Sequence, residues 1–301
     1  MADATSKVQV RIDGRELTLT NLDKVLYPNG FTKGEVIDYY TRVAPVMLPH
    51  LAGRPATRIR CPNGVEAERF FEKNAPPHTP EWVRTVRLPT PHGAHRAETD
   101  FIIIDDLPTL VWCANLAALE LHVPQWRVGR HDSAHEPDRM VFDLDPGEPA
   151  GIVEACRVAC LLRELLEADG LESYPKTSGK KGLHLYVPVE ETGRTAEYAQ
   201  RAAQRLEGEH GDLVLSQMTK RLREGKVFVD WSQNHPAKTT VAPYSLRAAD
   251  APAVSTPVTW EEVESSQEPA ALRFLADQVL ERVEQHGDLF EPLLTRAQKL
   301  P

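Results

Sequence analysis

Cysteine is scarce in this sequence, with four in 301 residues and none in a C-x-x-C pair. That excludes a disulfide framework and leaves a structural zinc without support. Cys156 and Cys160 stand four apart in an apolar helical stretch, but no histidine or third cysteine lies near them, so they read as buried, reduced thiols. No run of 18 apolar residues occurs, and residues 1–14 show neither the apolar stretch of a signal peptide nor the Arg/Ser bias of a transit peptide. A soluble, intracellular protein is therefore expected. Low-complexity tracts, internal repeats and the G-x-x-x-x-G-K-[ST] phosphate loop are also missing.

What is present is an ordinary globular composition, 41% apolar and 26% charged, with a formal net charge of −9. The negative total argues against a polyanionic partner only if charge is spread evenly, and it is not. Residues 1–60 carry nine Lys/Arg against six Asp/Glu, and residues 176–247 carry twelve against eight. The acidic excess sits in 61–175 and 248–301, so two locally basic stretches remain available to a nucleic acid.

The apolar pattern interleaves helices with strands. Residues 32–51 open with the capping box Thr32/Glu35 and carry Val36, Tyr39, Tyr40, Val43 and Met47 at helical spacing. Strands are predicted over 56–60, 68–72, 83–88, 100–104, 119–123 and 139–144, with a helix over 106–118 that has Pro108 in its first turn. An amphipathic helix over 151–169 ends at Gly170, and strands 173–177 and 183–188 form a hairpin. Helices over 195–208, near 216–223 and over 269–285, with a strand over 226–231, complete the pattern. The Ala/Pro/Ser-rich stretch 248–257 reads as a surface connection. The expected fold class is α+β with largely antiparallel sheets flanked by helices.

The sharpest motif is Met-Val-Phe-Asp-Leu-Asp-Pro-Gly at 140–147. Side chains alternate along a strand, so Asp143 and Asp145 project from one face while Leu144 enters the core. Two readings fit: a carboxylate pair that needs a divalent cation, or a strand end whose aspartates cap the Pro-Gly turn. Asp230 ends another apolar strand, Lys-Val-Phe-Val-Asp-Trp, and would complete a two-metal clamp if it met the other two. Between them lies Thr-Ser-Gly-Lys-Lys-Gly-Leu-His at 177–184. It reads either as a plain hairpin turn or as a triphosphate cradle offering exposed backbone N–H groups, Ser178, Lys180 or Lys181, and His184.

Taken in order, D-L-D-P-G, S-G-x-K-G-x-H and V-F-V-D-W-S-Q-N resemble the polymerase domain of bacterial ATP-dependent DNA ligase D. That family is a member of the archaeo-eukaryotic primase superfamily acting in non-homologous end joining. T-N-L-D-K-V-L-Y-P near residue 20 and Y-S-L-R-A at 244–248 extend the resemblance over nearly the whole chain.

The resemblance implies a single primase-polymerase domain over 1–301, with a DNA-end-binding part at roughly 1–100 and a catalytic part at roughly 101–301. It assigns Asp143, Asp145 and Asp230 as catalytic ligands of two ions, Mn²⁺ favoured or Mg²⁺. Ser178, Lys181, His184, Arg247 and His122 would hold the incoming NTP or dNTP, with ribonucleotides preferred; on residues alone, His122 reads as a core histidine. Asn21, Lys24 and Lys33 would form a pocket for the 5′-phosphate of a DNA end or gap. Phe70 and Phe71 would stack on template bases, and Lys220 and Arg223 would lie near the primer end and nucleotide. A Ku-like end-binding protein and a DNA ligase are the implied partners, with a cytoplasmic, nucleoid-associated setting in a bacterium. No motif with an adenylatable lysine and no phosphoesterase module is visible, so the sequence reads as a stand-alone polymerase or part of a longer protein. A metal-dependent nuclease or phosphohydrolase and a non-catalytic end-binding scaffold are the rival functions.

Overall fold

The computed structural model describes residues 6–89, 98–129, 131–268 and 270–301. In chain order the elements are hairpin strands β1 (Lys7–Ile12) and β2 (Arg15–Thr20), helix α1 (Lys33–Leu51), and strands β3 (Pro55–Arg60), β4 (Phe70–Glu72), β5 (Thr85–Pro89) and β6 (Glu98–Ile103). Helix α2 (Leu107–Asn115), β7 (Ala118–Val123), β8 (Arg139–Pro146), α3 (Ile152–Ala168), β9 (Tyr174–Thr177), β10 (Leu183–Pro188) and α4 (Thr195–Glu209) follow. The described chain ends with β11 (Val214–Leu215), β12 (Val227–Asp230), β13 (Thr240–Val241), α5 (Trp260–Ser265), α6 (Ala276–His286) and α7 (Pro292–Thr295).

Two sheets carry the molecule. One runs β11-β12-β8-β10-β9, antiparallel except for the β11–β12 pair; the other runs β13-β7-β3-β6-β5, with β4 paired to β3. Because residues alternate, Met140, Phe142 and Leu144 of β8 and Leu183, Leu185 and Val187 of β10 bury one face against Ile152, Ala159, Leu162 and Leu166 of α3 and Ala199 and Leu206 of α4. The opposite face carries Val141, Asp143 and Asp145. A second core packs α1, through Val36, Tyr40, Val43 and Met47, against α2 and the second sheet. Strands β7 and β13 lie in the same sheet as β3, so the sheets do not divide the chain at residue 100.

The Thr32 capping box, the early Pro108 and the left-handed Gly170 appear as the sequence indicates. Several expectations need correction. Hairpin β1–β2, unread in the sequence, turns at Asp13-Gly14, both at positive φ, which a two-residue hairpin loop requires. The helix expected near 216–223 is only a 3-10 turn, Lys220–Leu222. The helix expected from residue 269 begins at Ala276; Pro269 lies outside the described residues.

Residues 248–257 are not a surface connection. Ala248, Ala253, Val254, Ser255 and Thr256 are buried, and Ser255 N–H donates to Ser245 O while Thr177 N–H donates to Thr256 O. Small side chains here permit close packing against β9 and the 245–247 segment, a different use of the composition that also marks loops. All four cysteines are free thiols, with Cys61, Cys113 and Cys156 buried and Cys160 partly so. Among the described residues, no helix is long and apolar enough to cross a membrane.

Candidate active site

Strand register builds the site. Asp230 of β12 is the cross-strand partner of Asp143 of β8, Asp143 is the partner of His184 of β10, and His184 is the partner of Lys176 of β9. Direct partners in antiparallel strands share a face, with Cβ atoms about 4.5–5.5 Å apart. One row of polar side chains therefore crosses four strands, and Asp145 stands two residues along from Asp143 on the same face.

This face opens into a cavity of about 650 Å³ lined by Asp143, Asp145, Ser178, Lys181, His184, His122 and Arg247, together with Gln233, Thr239 and Arg273. Seven of the eight residues expected to bind metal or nucleotide thus border one space. Asp230 is not among its lining residues, although its neighbour Gln233 is.

Each carboxylate already has protein partners. Asp143 Oδ1 lies 3.3 Å from His184 Nε2. Burial pushes its carboxyl up, but His184, Lys176 and Arg247 together outweigh burial and hold it below the ordinary value. Asp145 pairs with Arg223 at 3.1 Å, and that guanidinium also lies 4.0 Å from the centre of the Phe228 ring. Burial, then the negative charges of Asp143 and Asp230, raise the Asp145 carboxyl against the pull of Arg223 and Lys181. Asp230 accepts from Ser232 N–H at 2.9 Å, Ser232 Oγ at 2.5 Å and Gln233 Nε2 at 2.8 Å.

The donor set fits a hard divalent cation in chemistry and strand placement: three carboxylates on one face, two of them crowding Asp145 with like charge. Among the described residues no group of three or more His, Cys, Asp or Glu side chains is arranged to hold a metal ion. In this structure His184, Arg223 and Ser232/Gln233 each partner one of the three acids.

The 177–184 turn also differs from expectation. Lys180 N–H and Gly182 N–H donate to Ser178 Oγ, at 3.2 and 3.1 Å, so these backbone donors are engaged rather than exposed. Gly179, at φ +71°, is required by close approach, since a Cβ there would stand 2.5 Å from Arg247 Cγ. Lys181 remains 57% exposed, 3.4 Å from Glu148. His184 is buried with its imidazole pushed down to about 4, by burial first and Lys176 next.

Sequence reading missed Glu120 and Lys176. Glu120 is 1% exposed on β7; it accepts from His122 Nε2 at 2.8 Å and Ala248 N–H at 2.9 Å, and its Oε2 lies 3.4 Å from Arg247 Nε. Burial pushes its carboxyl up, but His122 and Arg247 reverse this and bring it down to about 2. His122 is lowered by burial despite Glu120, and at neutral pH it is an uncharged donor to that carboxylate. The one available signal was a glutamate two residues before His122 inside an apolar strand, on the same face.

Away from the cavity, Asn21 (φ +53°) accepts Lys24 N–H on its carbonyl, and Lys24 O accepts Lys33 N–H. These backbone bonds bring the three residues together. Lys24 Nζ donates to Asn63 Oδ1 and Lys33 Nζ to Thr20 Oγ1, and neither lysine has a carboxylate partner among the described residues. Burial, then Lys24 and Arg60, lower the Lys33 ammonium to about 8. Phe70 and Phe71, 38% and 62% exposed, stand on β4. Lys220 is exposed in its 3-10 turn, while Arg223 is partly buried against Asp145.

The family model for the LigD primase-polymerase domain matches residues 32–290. The chain belongs to this family. Its members form a nucleotidyltransferase family of DNA end repair, which works with divalent metal and nucleotide substrates.

The chain is 50% identical over 279 residues to the multifunctional non-homologous end joining protein LigD of Mycolicibacterium smegmatis, covering 91% of this chain and 36% of that protein. It is 34% identical over 277 residues to the bifunctional LigD of Bacillus subtilis, covering 90% and 43%. It superposes on the polymerase domain from Mycobacterium tuberculosis ligase D in complex with DNA with a TM-score of 0.86 and 48% identity, covering 93% of this chain and 99% of that one. The chain thus spans 36–43% of the length of these two curated relatives. The α+β fold with mostly antiparallel sheets matches that polymerase domain.

Proposed function

We propose that residues 1–301 act as one primase-polymerase domain that extends the 3′ end of a primer strand at DNA breaks and gaps carrying a 5′-phosphate, in non-homologous end joining or related gap repair. The observation that carries this reading is the single cavity in which the β8 carboxylates face Lys181, His184, His122 and Arg247. Anionic ligands for a cation stand beside cationic and N–H donors for a polyphosphate, the pairing phosphoryl transfer needs. Hydrolysis of a nucleic acid strand has no use for the polyphosphate half, and a scaffold needs neither.

In this reading Asp143, Asp145 and Asp230 hold two divalent ions, Mn²⁺ favoured over Mg²⁺. When bound, the ions supply activation of the primer 3′-OH and neutralisation of charge at the reacting phosphate. His184 fixes the Asp143 carboxylate, and Glu120 holds Arg247 and His122 at the cavity wall. Arg247, Lys181, Ser178, His122 and His184 bind and orient the triphosphate, while Lys220 and Arg223 serve the primer end and nucleotide. No protein nucleophile is required. Ribonucleotide preference, a Ku-like partner, an associated ligase and a cytoplasmic, nucleoid-associated setting belong to the same proposal.

Asn21, Lys24 and Lys33 form the 5′-phosphate pocket, supported by two lysines gathered with no carboxylate partner among the described residues. Phe70 and Phe71 offer a stacking platform for template bases, an interaction worth about 1–3 kcal/mol per base.

The direct test presents purified protein with gapped DNA bearing a 5′-phosphate, Mn²⁺ and a labelled NTP. Strand extension supports the proposal; shortening would favour a nuclease, and binding without turnover a scaffold. Lys24→Ala is expected to weaken binding to 5′-phosphorylated gaps by up to roughly fivefold, the scale of an exposed ion pair, with less effect on 5′-hydroxyl gaps and a difference that fades with salt. Equal loss on both substrates would reject the pocket. Lys33 adds a pH signature, being charged below about 8 and losing its charge as pH rises through that value. Preference for the 5′-phosphate should therefore fall between pH 7 and 9 in the native protein and persist in Lys33→Arg, as fluorescence anisotropy can measure.

A further inference from the structure

Behind His184 lies a lysine that the proposed reaction does not use. Lys176 sits on β9, directly across from His184, and is 0% exposed. Its Nζ is 3.1 Å from His184 Nδ1 and 2.5 Å from Ser255 Oγ, and the face of the Tyr186 ring is 5.7 Å away. Ser255 Oγ donates its own proton to Thr177 O at 2.7 Å, so its lone pairs are left to accept from Lys176. The amine thus meets a hydroxyl oxygen, an imidazole nitrogen and an aromatic face.

We propose that Lys176 is a positioning residue that locks His184 in the tautomer carrying its proton on Nε2. Nδ1 lies opposite Nζ, and with Nε2 turned to the Asp143 carboxylate it presents its lone pair to an N–H of Lys176. The proton then resides on Nε2, which faces Asp143 Oδ1 at 3.3 Å, an atom that in its ionised form can only accept. Both ends of the ring demand the same arrangement. The buried Ser255 from the 248–257 segment completes it by fixing the lysine, which explains why that stretch is packed against β9.

The lock matters because Nε2 faces the Asp143 carboxylate and, in the polymerase reading, would face the oxygens of an incoming triphosphate. The other tautomer would turn a lone pair on those oxygens. With Lys176 in place His184 is an obligate donor, and its orientation is set before substrate arrives. The consequence for nucleotide binding rests on the polymerase reading; the tautomer does not.

The test separates the two. Two-bond ¹H–¹⁵N correlation spectra of the ¹⁵N-labelled chain, with the His184 signals assigned from a His184→Gln difference spectrum, read the ring nitrogens directly. In the native protein a pyridine-like Nδ1 and a protonated Nε2 are expected, and in Lys176→Met, with only the Asp143 end still holding the ring, that single pattern should give way to a mixture. In primer extension with ATP opposite template dT, Lys176→Met should raise the KM for ATP by roughly ten- to a hundredfold, the scale of a hydrogen bond to a charged group, with the Kd for gapped DNA unchanged. A lysine that only supports the fold would lower the amount of active protein and kcat, leaving KM and the His184 spectrum alone. Ser255→Ala, a milder change, should shift the spectrum and KM in the same direction and keeps the question answerable if Lys176→Met does not fold. A proton on Nδ1 in the native protein, or an unchanged His184 pattern in Lys176→Met, would overturn the proposal. Loss of the pattern in a chain that never extends a primer would leave the lock standing and remove the polymerase.

Discussion

Asp145→Ala is expected to abolish primer extension while leaving binding to 5′-phosphorylated gaps intact. The transition-state stabilisation that a divalent ion held by Asp145 would supply amounts to several kcal/mol. At about 1.4 kcal/mol per tenfold, that is a fall of roughly a thousandfold or more in rate. The proposed Lys24/Lys33 pocket and the exposed Phe70 and Phe71 are not among the residues lining the cavity, so gel-shift affinity should stay near that of the native protein. Extension at the native rate would end the assignment of this carboxylate to the metal site.

The same position carries an opposite expectation for stability. Burial and the charges of Asp143 and Asp230 raise the Asp145 carboxyl above its ordinary value. Its ionised form therefore costs the folded state stability at neutral pH, a cost that fades as pH falls and the group takes up its proton. Asp145→Asn should keep or raise the Tm at pH 7, with the difference shrinking toward pH 4. A large fall in Tm would mean that the Arg223 pairing outweighs the crowding.

Glu120→Ala should be the most destabilising change at the site. It removes the counter-charge of buried Arg247 and strands the N–H groups of His122 and Ala248, and breaking a buried ion pair from one side costs about 3–5 kcal/mol. Chemical denaturation should show that loss, together with weaker nucleotide binding as Arg247 and His122 lose their support. The pH dependence has a definite sign. A carboxyl depressed to about 2 contributes stability that is complete above the ordinary glutamate range and is lost as pH falls toward 2. The shift corresponds to about 3 kcal/mol. Native protein should lose that increment between pH 5 and 2, and Glu120→Ala should show a flatter acid limb; parallel profiles would contradict the assignment.

Much of this site was legible in the sequence because strand periodicity is local. Asp143 and Asp145 had to share a face once 139–144 was read as a strand, and the glycines at 179 and 182 marked a tight turn. Local reading failed where a residue's role is set from a distance. Lys176 in Tyr-Pro-Lys-Thr carries no mark of complete burial, which comes from Ser255 and Tyr186 closing over it. The Ala/Ser/Pro run at 248–257 has a loop's composition, yet its small side chains let the backbone lie against β9. Hairpin β1–β2 escaped for the opposite reason. Its signal is local and present, with Val8, Val10 and Ile12 alternating before Asp13-Gly14 and Leu17 and Leu19 after it, and it went unread.

The sequence by itself determined most of the longer strands and helices, the faces their side chains occupy and the spacing of the acidic pair, since each follows from backbone geometry over a few residues. Only the tertiary structure decided which cation and which imidazole meet which carboxylate. Those meetings depend on the register of β12, β8, β10 and β9, where a one-residue slip would turn Asp230, His184 and Lys176 to the opposite face. They depend also on distant segments bringing Arg247 and Ser255 against that row, and electrostatic coupling falls so steeply with distance that no single segment carries it.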